Sequence, residues 1–186
     1  MKQDPKQRRE HLERAFSRAP STGHLLEFGV GEGHSLRWIR RFANDKTIHG
    51  FDSFEGLPEQ WHMHPDYIVP KGSWKYDPPD IDNVVLHIGL FEDTLPKWVA
   101  KHPGMIAFLH FDADLYSSCV TVLEYLNHQI VPGTVIVFDD MFETERYQNW
   151  REGEHRAFEE WKKKYNRKAH LLEKTTDGEA SYRILA

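Results

Sequence analysis

LLEFGVGEGHS, residues 25–35, joins an apolar run to three alternating glycines, Gly29, Gly31 and Gly33, and then to a helical pattern that starts at Ser35. A strand that runs through a glycine turn into a helix forms a crevice in which backbone N–H groups can meet a ligand. The dinucleotide fingerprint GxGxxG needs a third glycine where His34 stands, and no lysine follows to make a phosphate loop. Glu27, just before the glycines, suits the cationic end of a ligand, an ammonium or a sulfonium, better than a pyrophosphate. An ordinary strand–turn–helix corner is the competing reading of the glycines alone.

Working outward, TIHGF (47–51) is a second strand that ends in Asp52, 21 residues beyond Gly31. An acidic residue there can accept both hydrogen bonds of a ribose diol, or else it caps a helix or sits in a turn. NVVLHIG (83–89), MIAFLHFD (105–112) and GTVIVF (133–138) are three more strands. Helices are expected over 35–44, 93–102, 117–129 and 152–165, with Pro96 in a first helical turn. Residues 5–18 read as an amphipathic N-terminal helix, and 170–173 and 181–185 as two closing strands. Such alternation predicts an α/β, doubly wound, Rossmann-like sheet, mostly parallel, with right-handed crossovers. Residues 56–80 show no period but carry Trp61, His62, His64, Tyr67, Trp74, Tyr76 and five prolines. A loop this long and aromatic is expected to line or cover a pocket.

The chain has 186 residues, net charge −5, 39% hydrophobic content and one cysteine, Cys119. One domain of globular type is expected, without a disulfide framework or a zinc–cysteine site. Nucleic acid is disfavoured as a partner, since no long basic run occurs. A polar N-terminus and the lack of a membrane-length apolar run predict a cytoplasmic protein that is not a membrane partner.

HFDADLY (110–116) and FDD (138–140) close two of the strands. Were those strands neighbours, ~4.8 Å apart, Asp112, Asp139 and Asp140 would crowd into one corner and need a positive group between them. A divalent cation meets that need, Mg2+ first, with manganese or calcium as alternatives. The competing reading makes Asp114 and Asp140 helix caps. A cofactor at the glycine loop and a cation two strands away leave room between for a hydroxylated small molecule. Asp114 is the nearest base, with the cap of the helix from Ser117 as its alternative role.

LEFGVGEGHS, GFDSFEGLP, GLFEDTLP, HFDADLYSS and IVFDD, in this order over roughly residues 25–141, resemble the macrocin O-methyltransferase family, class I S-adenosylmethionine-dependent enzymes. Catechol O-methyltransferase is similar more distantly, by fold. The resemblance implies a seven-stranded sheet with an antiparallel last strand. It implies that Glu27, Gly29, Val30, Gly31 and Gly33 surround the methionine moiety and that Ser35 holds its carboxylate. Asp52 would take the ribose, with Ser53 and Phe54 beside the adenosine, and Gly89, Leu90 and Phe91 would wall the adenine. Asp112, at the edge of the cofactor site, would share a metal with Asp139 and Asp140. The base of relatives falls on Asp114, since residue 115 is leucine. The acceptor would be a sugar or catechol-like diol; the alternative is a catalytically silent S-adenosylmethionine-binding protein without a metal. A nicotinamide dehydrogenase fits less well. A homodimer is compatible with these features. The family's longer N-terminal lid has no counterpart here, where about twenty residues precede the first strand. Either the 56–80 loop does the covering or the site is open.

Overall fold

The computed structural model describes residues 5–185. Helix α1 (Pro5–Phe16) precedes strand β1 (His24–Phe28), helix α2 (His34–Phe42) and strand β2 (Ile48–Asp52). Strands β3 (Trp61–His64) and β4 (Tyr67–Val69) follow, then β5 (Val84–Ile88), α3 (Phe91–Lys101), β6 (Ile106–Phe111), α4 (Tyr116–Leu126) and β7 (Val135–Phe138). A short 3₁₀ turn (Trp150–Glu152), α5 (Glu154–Lys164), β8 (Ala169–Lys174) and β9 (Ala180–Ile184) complete the chain.

Seven strands form one sheet in the order β5-β2-β1-β6-β7-β9-β8. Strand β9 is antiparallel to both β7 and β8, and the other pairings are parallel. Alternate side chains point to opposite faces, so each apolar strand feeds two cores. Leu26, Phe28, Leu109, Phe111, Ile136 and Phe138 pack beneath α3, α4 and α5. Leu25, Ile48, Phe108, Val135 and Val137 pack against Leu12 and Ala15 of α1 and Leu36 and Ile39 of α2. This coverage explains why the central strands are apolar on both faces.

One row of side chains sets the height of the site. Phe28 is paired in register with Phe51 and Phe111, and Phe111 with Phe138. Their rings stack at centroid distances of 4.7, 5.5 and 5.6 Å. The residues that follow are Gly29, Asp52, Asp112 and Asp139.

The same sheet face begins in histidine. His24, His49 and His102 gather around Trp98, and His87 joins them through His49, with His49 Nδ1 3.0 Å from His87 Nε2 and the His49 and His102 rings 4.8 Å apart. Burial and then the neighbouring histidines lower the pKa of His49 to about 4, and His87 is lowered as well. At these two histidines the unfolded state therefore binds more protons between about pH 6.5 and pH 4, so their contribution to stability falls as pH falls through that window. The expected result is a wild-type melting temperature that falls relative to that of His49→Phe between pH 6.5 and 4, read by calorimetry, since the buried carboxyls are common to both proteins. Equal slopes in the two proteins would refute the assignment.

Two expectations need correction. Residues 56–80 are not without regular structure: β3 and β4 pair as a hairpin, Trp61 against Val69. Strands of four and three residues are too short to show a period. Helix α3 starts at Phe91, two residues early, so Pro96 lies in its second turn.

Candidate active site

The carboxyl ends of the parallel strands open into one cleft of about 960 Å³. Gly29, Val30, Gly31, Ser35, Asp52, Ser53 and Gly89–Phe91 line one end; Asp112, Asp114, Asp139 and Asp140 line the other. The end of each strand is locked to its neighbour: Gly29 N donates to Phe51 O (2.9 Å), Asp112 N to Phe28 O (2.8 Å) and Asp139 N to Phe111 O (3.0 Å). Gly29 has φ +83°, and a Cβ there would overlap the Asp112 carbonyl oxygen, so this turn requires glycine.

Asp52 staples the glycine loop. Its Oδ2 accepts from the N–H groups of Val30 and Gly31 at 2.8 Å each, and its Oδ1 from that of Phe54 at 2.8 Å. Three of roughly four lone-pair positions are thus occupied by the protein itself. The turn role is therefore the one its bonds fulfil, and a single position remains for a ligand.

Three expected cofactor residues do not line the cleft. Glu27 is fully buried, where the Ser35 hydroxyl and His110 Nδ1 (3.1 Å) both reach its Oε1. Position Gly33 is covered by Pro79 and Ile81. Phe54 is buried in the core on the α1 and α2 side. Glu27 lies within β1, Gly33 stands at the N-cap of α2, and Phe54 follows β2 in a left-handed conformation with φ +58°.

The acidic corner holds Asp112, Asp114, Asp139 and Asp140 together with Glu154 and Glu179. Arg8 of α1 reaches into it, with one terminal nitrogen 2.5 Å from Asp112 Oδ2 and Nε 3.0 Å from Asp139 Oδ1 and 3.7 Å from Glu179 Oε1. Burial opposes the charge on Arg8, but these three carboxylates outweigh it and raise its pKa further. Burial also pushes the carboxyls up. Arg8 overcomes this at Asp112, which stays below the ordinary value. Asp140, near Asp112, is pushed up to about 7. Asp114 is raised well above its usual value by burial and then by Asp140, Asp112 and Glu154. It shares a hydrogen bond with Asp140, and Glu154 Oε2 accepts from the Asp140 N–H (3.1 Å). Among the described residues no group of three histidine, cysteine or acidic side chains is arranged to hold a metal. The positive group between Asp112 and Asp139 in this conformation is Arg8.

Asp114 reaches the corner by a different route from strand alternation. Strand β6 stops at Phe111, and Asp114 adopts φ +61°, a left-handed conformation that aspartate tolerates. Nor does it cap α4, whose N-cap is Leu115 without a side-chain bond.

Residues 26–141 match a family described as a methyltransferase domain. The chain belongs to this methyltransferase family. Its fold recurs in solved structures. Calicheamicin methyltransferase CalS11 is 24% identical, with TM-score 0.69 over 94% of this chain and 76% of that one. The O-methyltransferase NovP is 23% identical, with TM-score 0.68 over 98% and 79%. An O-methyltransferase from Bacillus cereus, in complex with SAH, is 16% identical, with TM-score 0.64 over 98% and 82%. Among curated protein sequences there is no significant match. No helix of the described residues is long and apolar enough to cross a membrane.

The hairpin forms the upper wall of the methyltransferase cleft. Trp61 packs on Trp74 and Tyr147 at 5.9 and 4.9 Å, and the N–H groups of Gln148 and Asn149 bond to Met63 O. Tyr76 lies over Gly31. Tyr147, Arg8 and Glu154 were not legible as site residues. Tyr147 is buried, with its phenol raised by burial and then by the nearby Asp140, Glu154 and Asp114. Its hydroxyl abuts Gly153, where a Cβ would overlap it. Gly153→Ala should therefore displace Tyr147 and lower stability by about 1–3 kcal/mol, the usual cost of overpacking. Chemical denaturation checks this, and Tyr147→Phe/Gly153→Ala should recover part of the loss.

Proposed function

We propose that this chain is a single-domain, S-adenosylmethionine-dependent O-methyltransferase acting on a hydroxyl of a small molecule, a sugar or catechol-like diol, with a divalent cation of the Mg2+ type. The observation that carries the proposal is the continuity of the cleft: the Gly29–Gly31 turn and Asp52 open into the same space as the carboxylate corner. CalS11, described as a TDP-rhamnose 3'-O-methyltransferase, supports a sugar as acceptor.

S-adenosylmethionine supplies an electrophilic methyl on a sulfonium sulfur. The glycine turn offers backbone N–H groups and close approach, Ser35 lies at the start of α2 for its carboxylate, and Gly89–Phe91 offer a wall for its base. A divalent cation lowers the pKa of a hydroxyl bound to it. Asp112, Asp139 and Asp140 would hold it, since an all-oxygen, strongly negative donor set suits a hard cation. These carboxylates also carry more negative charge than Arg8 cancels. Asp114 takes the acceptor proton at its carboxylate, and burial, then crowding by other carboxylates, makes it a stronger base than a free aspartate. The aromatic wall of Trp61, Trp74 and Tyr76 excludes water above the acceptor.

The test is calorimetric binding of S-adenosylhomocysteine, followed by transfer of a labelled methyl to a panel of nucleotide-linked sugars, free sugars and catechols, each with magnesium and with a chelator. Nucleoside binding and magnesium-dependent transfer are expected. Binding without transfer under any condition would favour a silent binder, and no binding would remove the cofactor assignment.

A further inference from the structure

We infer that Arg8 is an exchangeable counter-ion: its guanidinium and a divalent cation compete for Asp112 and Asp139, so that cation binding releases the start of α1 from the site. The inference rests on the cation part of the proposed function.

Arg8 stands where the cation would be held. Its side chain is 16% exposed and is aimed at three carboxylates, Asp112, Asp139 and Glu179. The fit is incomplete. Arg8 Nε and Glu179 Oε1 are buried without a hydrogen bond of good geometry among the described residues: Nε is held by charge alone, 3.0 Å from Asp139 Oδ1 and 3.7 Å from Glu179 Oε1. One guanidinium also leaves the corner short of positive charge, since Asp114, Asp140 and Glu154 stand beside the three carboxylates that Arg8 meets. A divalent ion brings twice the charge in a smaller volume.

The attachment of α1 is uneven along its length. Its second half is anchored in the core by Leu12 and Ala15 and by buried His11, which bonds Glu179 and Ser181 at 3.1 Å each. Its first turn, by contrast, is held by polar contacts: Arg8 in the corner and Gln7 with Thr176 at 3.1 Å. Pro5 and Lys6 are exposed. The first turn can therefore withdraw while the second half remains docked. Arg8 also lines the cleft, so its withdrawal leaves the protein through an open path and enlarges the acceptor side.

The test uses the full chain with Mn2+ as the probe, in wild type, Arg8→Gln and Arg8→Lys. Affinity is read by calorimetry and by loss of the free-ion paramagnetic signal. Arg8→Gln should bind Mn2+ roughly tenfold tighter or more, because a competing buried charge pair has gone, and Arg8→Lys should fall between. In wild type, Mn2+ should raise amide hydrogen exchange in residues 9–12, whose N–H groups bond to the carbonyls of the first turn, and leave residues 13–16 protected. Equal affinity in all three proteins, or Mn2+ binding without a change in residues 9–12, would overturn the inference while leaving the metal-dependent reading in place. No Mn2+ binding to any of the three would overturn both. S-adenosylhomocysteine binding reports that each variant is folded; should Arg8→Gln fail it, Arg8→Lys and the wild-type exchange data decide.

Discussion

Gly29→Ala is expected to abolish S-adenosylhomocysteine binding and to destabilise the protein by on the order of 4 kcal/mol, at the severe end of single substitutions. Two costs combine. A left-handed backbone at φ +83° is itself unfavourable for alanine, by roughly 1–2 kcal/mol. The larger cost is steric, because the new Cβ would meet the backbone of Asp112 and Ala113, which no rotamer change can move. Relief would require β1 and the segment after β6 to separate, breaking the Asp112 N–H bond to Phe28 O. Gly31→Ala is the control. Its Cβ would lie 3.6 Å from the Tyr76 ring, an ordinary contact, so only the backbone cost applies. Thermal unfolding and calorimetric titration of both variants check the contrast, and a Gly29→Ala protein with wild-type melting and affinity would refute it.

Asp114→Asn should lower kcat by about 10²–10⁴, the span that a positioned general base contributes, and leave S-adenosylhomocysteine affinity unchanged. Asparagine keeps the shape of the side chain and tolerates the same left-handed backbone. It also removes one carboxyl from a crowded, buried group, so the variant should melt at a higher temperature than wild type. Opposite changes in activity and stability separate a base from a structural residue, whose loss would lower both. Near-normal turnover would pass the role of base to another group in the corner.

The strands were legible in the sequence because they are apolar on both faces and end at polar residues. MIAFLHFD and GTVIVF lie where expected, and so does the corner that joins Asp112, Asp139 and Asp140, since β6 and β7 are neighbours. Contacts made across the fold were not legible. Arg8 meets Asp112 across 104 positions of sequence, and nothing in KQRRE marks one arginine as buried rather than solvated. Glu27 read as facing a ligand because it precedes the glycines; yet it ends up in the core, neighboured by His110, a residue that sequence alone treats as part of a strand. The hairpin escaped notice for a related reason. Trp61 and Val69 are buried against Leu115, Tyr147 and Trp150, so their pattern answers to distant partners rather than to their own period.

The stacked phenylalanines have a consequence for how such a protein can be altered. Phe28, Phe51, Phe111 and Phe138 are fully buried and fixed by strand pairing. They act as a foundation course: the glycine turn and the aspartates that line the cleft are built directly above them. The 61–69 hairpin and the 142–153 segment close a smaller core of their own around Trp61, Tyr147 and Trp150, so the two have to be exchanged together, as one unit set on that foundation. A single residue inserted into a strand beneath that course would disturb the foundation itself. It would turn one ring of the stack to the other face of the sheet and shift the chemistry above it by about 3.3 Å, the rise of one strand residue.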